Sequence, residues 1–234
     1  DPLLTTTNLL TEINKDILQK YYSRIFVGCD KLLLDVKKEY SLSDELAKKI
    51  TYTGYISKRV PKSVIERARL ERKLPPKAKW VVCSIGAGLY GEKIIEEIKE
   101  LTYKYPNICF DIICGPKNEY QHSAISINHY IESNVRYFSF SKHLNILHAS
   151  ADVVITAGGY NSIVESLLGE AQIIVCPLSN QHEKEQYIHA QKVAEYTTRV
   201  HLIEDVSQLS FIFSNVLETK KEKNTLKLCF KAMF

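Results

Sequence analysis

Ala151–Gln186 reads ADVVITAGGYNSIVESLLGEAQIIVCPLSNQHEKEQ, and the order of its parts decides the fold. An apolar run at 152–156 fits a buried strand, and a glycine pair follows. Apolar residues at helical spacing over 161–168 predict a helix, and QIIVC at 172–176 predicts a second buried strand. Two fully apolar strands joined through a helix describe a parallel pair covered on both faces. The glycines strip side chains from the place where a strand delivers the chain to a helix N-terminus. Free amides there suit a phosphate. Glu165, early in the helix, can accept hydrogen bonds from the two hydroxyls of a ribose. The stretch therefore reads as a nucleotide-diphosphate site without a P-loop.

The same rhythm extends in both directions. Strands are expected at 80–85, 108–114, 135–140, 152–156, 172–176 and 197–203. Helices are expected at 92–104, 119–131, 142–149, 161–168, 183–195 and 205–217. The fold class is thus α/β, a Rossmann-like doubly wound parallel six-stranded sheet, whose ligands sit beyond the carboxyl ends of the strands. Ahead of it, 24–29 and 50–55 fit strands, while 31–40 and 43–48 fit short helices. Pro61, the charged run 63–73 and Pro75-Pro76 mark a linker. The expected division is 1–60, linker 61–78, a nucleotide-binding domain 79–217 and a lysine-rich tail 218–234. The tail is read as a frayed end in preference to an amphipathic surface helix.

Composition narrows the function. The 234 residues carry 31 basic and 27 acidic side chains, a balance too even to argue for nucleic acid. No apolar run reaches the roughly 20 residues of a membrane span. Cys29, Cys83, Cys109, Cys114, Cys176 and Cys229 form no CxxC pair, and several lie in apolar strand runs, so buried reduced thiols are expected. A cytoplasmic protein, with peripheral membrane attachment left open, is the corresponding expectation. The sequence starts at Asp1, as a fragment or processed product would.

Each motif has a plain structural alternative. Gly86, Gly88 and Gly91 spell G-x-G-x-x-G between a strand and a helix, yet the next strand ends without the acid that a dinucleotide site needs. A glycine loop near a diphosphate fits, and so does a tight turn requiring positive φ. Ser162 and Glu165 have the spacing of a capping box, which accounts for both residues without a ligand. Glu185 and Gln186 suit sugar hydroxyls, or simply open a charged helix. His182 lacks the second histidine of H-E-x-x-H, and no G-x-S-x-G elbow occurs.

Taken in order, A-D-V-V-I-T-A-G-G-Y-N-S-I-V-E, a strand ending in proline and E-Q-Y-I-H-A-Q-K-V resemble the C-terminal, donor-binding half of GT-B glycosyltransferases. The resemblance is to family 28, which includes the lipid II-forming N-acetylglucosaminyl transferase and monogalactosyldiacylglycerol synthase, and it covers about 79–217. The first sixty residues look like a remnant of that family's N-terminal domain. The resemblance implies hexosyl transfer from a UDP-sugar to an acceptor hydroxyl, inverting, with neither metal nor cofactor. Gly86, Gly88, Gly91, Gly159, Tyr160, Asn161 and Ser162 would line the diphosphate. Phe140 and Ser141 would meet the base, Glu165 the ribose, and Glu185 and Gln186 the donor sugar. Where relatives often carry two glutamines this chain has Glu185-Gln186, and Gly169-Glu170-Ala171 replaces Gly-Lys-Pro, so the sugar is left open. The catalytic base would belong to the missing N-terminal domain or to an acceptor-binding partner subunit. The alternatives are a nucleotide-sugar hydrolase or 2-epimerase of the same architecture, and a non-catalytic donor-binding subunit.

Overall fold

The computed structural model describes residues 12–85, 91–115, 131–132, 134–177, 185–219 and 230–232. The chain opens with a head of short elements: α1 (Glu12–Tyr21), β1 (Ile25–Val27), α2 (Val36–Glu39), α3 (Asp44–Ala47), β2 (Ile50–Tyr52) and β3 (Tyr55–Ser57). Strands β1 and β2 pair in parallel with Ile25 opposite Ile50. The helix expected at 31–40 shrinks to α2, because Asp30 intervenes. Its carboxylate accepts the Leu32 amide at 2.9 Å and its carbonyl accepts those of Leu33 and Leu34, turning the backbone. The single strand expected at 50–55 divides at Gly54, whose φ of 68° only glycine adopts readily.

The charged stretch at 63–73 is not an irregular connector. Pro61 introduces α4 (Lys62–Glu71), which packs on α6 (Leu144–Ser150). Ala68 packs on the core while arginines supply the polar links to the sheet, which is why the sequence reads as polar. Arg69 donates to the Ser150 carbonyl at 2.7 Å and to Asp152 at 3.0 Å. Arg72 reaches Asp111, buried in mid-strand, at 2.8 Å, and Arg136 closes on the same carboxylate. Burying this carboxylate is tolerable because two guanidiniums neutralise it.

The body follows the expected alternation. Its further elements are β4 (Trp80–Ser84), α5 (Glu92–Lys104), β5 (Cys109–Ile113), β6 (Ile131–Glu132), β7 (Val135–Phe138), β8 (Val153–Thr156), α7 (Tyr160–Leu168), β9 (Gln172–Val175), α8 (Glu185–Ala194), β10 (Val200–Leu202) and α9 (Leu209–Glu218). Spatial order is β10-β9-β8-β4-β5-β7-β6, all parallel except β6, which runs against β7. Residues 119–130 of the helix expected at 119–131 fall outside the described set, and Ile131 belongs to strand β6. Every residue of β4, β5, β8 and β9 is buried, as a doubly covered parallel sheet requires.

One face packs Val81, Phe110 and Ile155 against α5 and α9, with Phe110 stacked on Phe213 at 6.1 Å. Burial of each such side chain contributes about 1.5–3 kcal/mol. On the other face, Ile163 and Leu167 of α7 and Val193 of α8 cover Ile173 and Val175. Arg199, itself buried, caps the end of α7 by donating to the carbonyls of Leu167, Gly169 and Ala171 at 2.9, 2.8 and 3.3 Å. The described cysteines, Cys29, Cys83, Cys109, Cys114 and Cys176, form no disulfide with one another, and burial pushes Cys176 up to about 12. At the other terminus, residues 230–232 do not fray. They form β11 (Phe230–Ala232), parallel to β3 with Phe230 opposite Tyr55; residues 220–229 fall outside the described set.

Three rings meet where head and body join, beside the Lys192–Glu39 ion pair at 3.3 Å and the Tyr196 hydroxyl, which donates to the Leu32 carbonyl at 2.8 Å. Fully buried Tyr55 of β3 shares a hydrogen bond between its hydroxyl and His189 Nε2 of α8 at 2.7 Å. Tyr160 of α7 stacks on His189 at 5.4 Å and donates its own hydroxyl to the Gly28 carbonyl, just past β1. Burial lowers the His189 pKa to about 4, and its Nδ1 is buried without a hydrogen bond. An unfolded histidine takes up its proton near pH 6.5, whereas the folded one resists until near 4. Stability present above pH 6.5 is therefore lost as pH falls towards 4, up to about 3 kcal/mol. Burial lowers His201 as well, adding in the same direction. Urea midpoints measured between pH 7 and 4 should fall along this window and fall distinctly less for His189→Gln; parallel losses in the two proteins would refute the assignment.

Candidate functional site

Strand order reverses between β4 and β8, so the chain leaves these neighbours towards opposite sides and opens a crevice at their carboxyl ends. Their last residues, Ser84 and Thr156, are cross-strand partners, and both side chains are buried. Thr156 accepts the Gly158 amide on its hydroxyl oxygen at 3.4 Å. Gly158 has φ of 88°, which swings the chain from strand into helix. Gly159 then stands at the N-cap of α7 in extended conformation.

The two glycines have different reasons to be glycine. At Gly158 the backbone demands it. At Gly159 φ is −55°, open to any residue, and an added Cβ would meet no described atom within 4 Å. Among the described residues the helix terminus carries no side-chain cap. Ile163 bonds back to the Gly159 carbonyl at 3.1 Å, leaving the Tyr160, Asn161 and Ser162 amides without intrahelical acceptors. The capping-box alternative fails here. Ser162 is the third helical residue, not the cap, and its carbonyl accepts the Ser166 hydroxyl at 2.6 Å.

Glu165 lies on the second turn of α7 with 27% of its side chain exposed. Behind it is fully buried His148, whose Nδ1 is 3.5 Å from Glu165 Oε2 and whose Nε2 is 2.9 Å from Ser84 Oγ. Neither His148 nor Ser84 stood out in the sequence. They lie 64 residues apart, and no spacing rule joins the end of a strand to a helix on the far side of two crossovers. An open hollow of about 650 Å³ beside Arg69, Leu74 and Asp152 sits at the opposite, amino ends of the strands and takes no part in this arrangement.

The remaining expected residues are dispersed. Phe140, two residues past β7, is 64% exposed at the carboxyl edge, separated from α7 by the ends of β4 and β5. Ser141 accepts the His143 amide at 3.2 Å, a local turn ahead of α6. Gly91 caps α5 and is buried; a Cβ there would come within 2.5 Å of Ile85 Cγ2, so close packing accounts for this glycine. Gly86 and Gly88 fall outside the described residues. Glu185 and Gln186 begin α8, but their side chains are outside the described set.

A parallel sheet of this order, with its crevice beside a bare helix terminus, is the half-molecule architecture of GT-B glycosyltransferases. The glycotransferase of kitacinnamycin superposes with a TM-score of 0.57 at 18% identity, covering 84% of this chain and 46% of that one. MurG of Acinetobacter baumannii gives 0.51 at 12%, covering 74% and 54%. The family model described as "Glycosyltransferase family 28 C-terminal domain" matches residues 81–231, and the chain belongs to this family.

Curated relatives are distant. An uncharacterized glycosyltransferase of Methanosarcina mazei is 23% identical over 220 residues, 91% of this chain and 55% of its own length. The UDP-N-acetylglucosamine--N-acetylmuramyl-(pentapeptide) pyrophosphoryl-undecaprenol N-acetylglucosamine transferase of Flavobacterium psychrophilum is 27% identical over 152 residues, 64% of this chain and 40% of its own. The chain spans about half the length of the curated relatives it matches.

The division of labour between the glycines is open to test by stability alone. Gly158→Ala should cost about 1–2 kcal/mol, the penalty for a Cβ in the left-handed region. Gly159→Ala should cost less than about 1 kcal/mol. Equal losses in urea unfolding would contradict the assignment.

Proposed function

We propose that this chain is the donor-binding portion of a hexosyltransferase and holds a UDP-sugar with its diphosphate against the N-terminus of α7. The observation that carries this reading is the terminus at Gly159, uncapped among the described residues, with Glu165 on the next turn. Three outward amides and the positive end of the helix dipole suit a diphosphate, and the carboxylate suits ribose hydroxyls. Exposed Phe140 offers a flat apolar surface for the base. Uridine is supported by the printed name of the Flavobacterium relative, a UDP-N-acetylglucosamine transferase.

In the reaction, an acceptor hydroxyl attacks the anomeric carbon and the bond from sugar to diphosphate breaks with inversion. Charge accumulates on the leaving diphosphate, where preorganised amides stabilise it most, and the reading requires no metal. A base must take the acceptor's proton. That base, with the acceptor site, belongs to an N-terminal half supplied by the same longer polypeptide or by a partner subunit. Two features support such a half: the chain spans about half of its relatives, and the two-stranded parallel sheet of β1 and β2 leaves Phe26 65% exposed. A parallel pair of this size is stable only as part of something larger. The cytoplasm is the compartment we assign, with peripheral membrane contact left to the acceptor's chemistry.

Isothermal titration of the folded chain with UDP should show millimolar or tighter affinity. Glu165→Ala should weaken it about tenfold or more, the value of a charge-assisted hydrogen bond. Gly159→Ala should weaken it too, by placing a methyl where the phosphate sits. A folded protein that ignores UDP, or variants that bind as well as the parent, would end this reading.

A further inference from the structure

We propose that His148 is a positioning residue for Glu165, fixing the carboxylate so that it recognises the ribose; the inference rests on the ribose role assigned above. Ser84, His148 and Glu165 form a chain across three elements: Ser84 Oγ to His148 Nε2 at 2.9 Å, then His148 Nδ1 to Glu165 Oε2 at 3.5 Å. This is the connectivity of a serine–histidine–acid triad, but Ser84 is 3% exposed and His148 0%, so no substrate reaches the hydroxyl. The chain therefore acts on its exposed end, Glu165.

The hydrogen-bond arithmetic assigns the proton. If His148 carried its hydrogen on Nε2, the Nδ1 lone pair would face a carboxylate oxygen inside the protein. With the hydrogen on Nδ1, the imidazole donates towards Glu165 while Nε2 accepts the Ser84 hydroxyl, and each contact is favourable. Nδ1 of His148 is buried without a completed hydrogen bond. An unpaired buried donor is costly, and a small rotation of Glu165 removes that cost. Bound ribose hydroxyls, held by the outer carboxylate oxygen, stabilise the rotated form. A histidine serving only to fill the core would leave no donor waiting beside the one half-exposed carboxylate of α7.

The test compares UDP with 2′,3′-dideoxy-UDP, which keeps the base and diphosphate and loses both hydroxyls. The parent chain should prefer UDP by about 10- to 100-fold. In His148→Asn the amide nitrogen falls near the Nδ1 position and should retain the preference. In His148→Gln it falls near Nε2, keeps Ser84 and abandons Glu165, so the preference should collapse towards one while dideoxy-UDP affinity stays level. Imidazole ¹⁵N spectra of the unaltered chain, which need no variant to fold, should show the Nδ1-protonated tautomer. Equal behaviour of the Asn and Gln variants, or an Nε2-protonated tautomer, overturns the relay while leaving Glu165 on the ribose. Absence of any preference in the parent, or a preference surviving in Glu165→Ala, removes the ribose role and the relay with it.

Discussion

Everything at the carboxyl edge depends on β4 and β8 pairing side by side with Ser84 opposite Thr156. Parallel neighbours need crossovers, and at this pair the crossovers depart to opposite sides of the sheet. A gap between the two exits is then a geometric necessity. The hydroxyls at the two strand ends use that gap differently: Thr156 steadies the turn that presents α7, and Ser84 reaches back to the histidine behind α7. Register here is strongly determined, because both strands are buried along their whole length and a one-residue slip would exchange their two faces.

The body of the fold was legible because a doubly covered parallel sheet writes itself as apolar runs of four or five residues separated by helical spacing. WVVCS, CFDII and VVIT needed no context, and α5 begins and ends where its periodicity predicts. The head was less legible for local reasons. Asp30 turned a helical pattern into two short pieces, and Gly54 divided one apparent strand between two sheets. In α4 a single small apolar residue, Ala68, packs on the core, and the helix is held by Arg69 and by Arg72 at its C-cap, whose partners Asp152 and Asp111 lie far along the chain. Amphipathic patterning fails when the buried side of a helix is held by ion pairs.

The candidate site divides along the same line. The glycine pair and Glu165 could be read because strand, turn and helix are contiguous, although sequence alone could not separate a capping box from a ligand site. That question turned on a shift of three residues: the helix starts at Tyr160, so Ser162 cannot be its cap. His148 belonged to no motif in the sequence. Its meaning comes from Ser84 and Glu165 converging on it in space.

The ring cluster at Tyr55, His189 and Tyr160 gives the fold a further property. Tyr160 is the first residue of α7, whose amide belongs to the uncapped terminus, and its hydroxyl is bonded to Gly28 in the head. The residue at the helix end is thus tied to the segment that leaves β1, while its ring stacks on His189 of α8. A displacement of the head relative to the sheet must break the hydroxyl bond, shift the helix terminus or disturb the stack. Because burial keeps His189 neutral, the cluster holds by hydrogen bonding and ring contact without charge. The ring cluster is insensitive to salt, unlike the Lys192–Glu39 ion pair that joins α8 to α2 beside it.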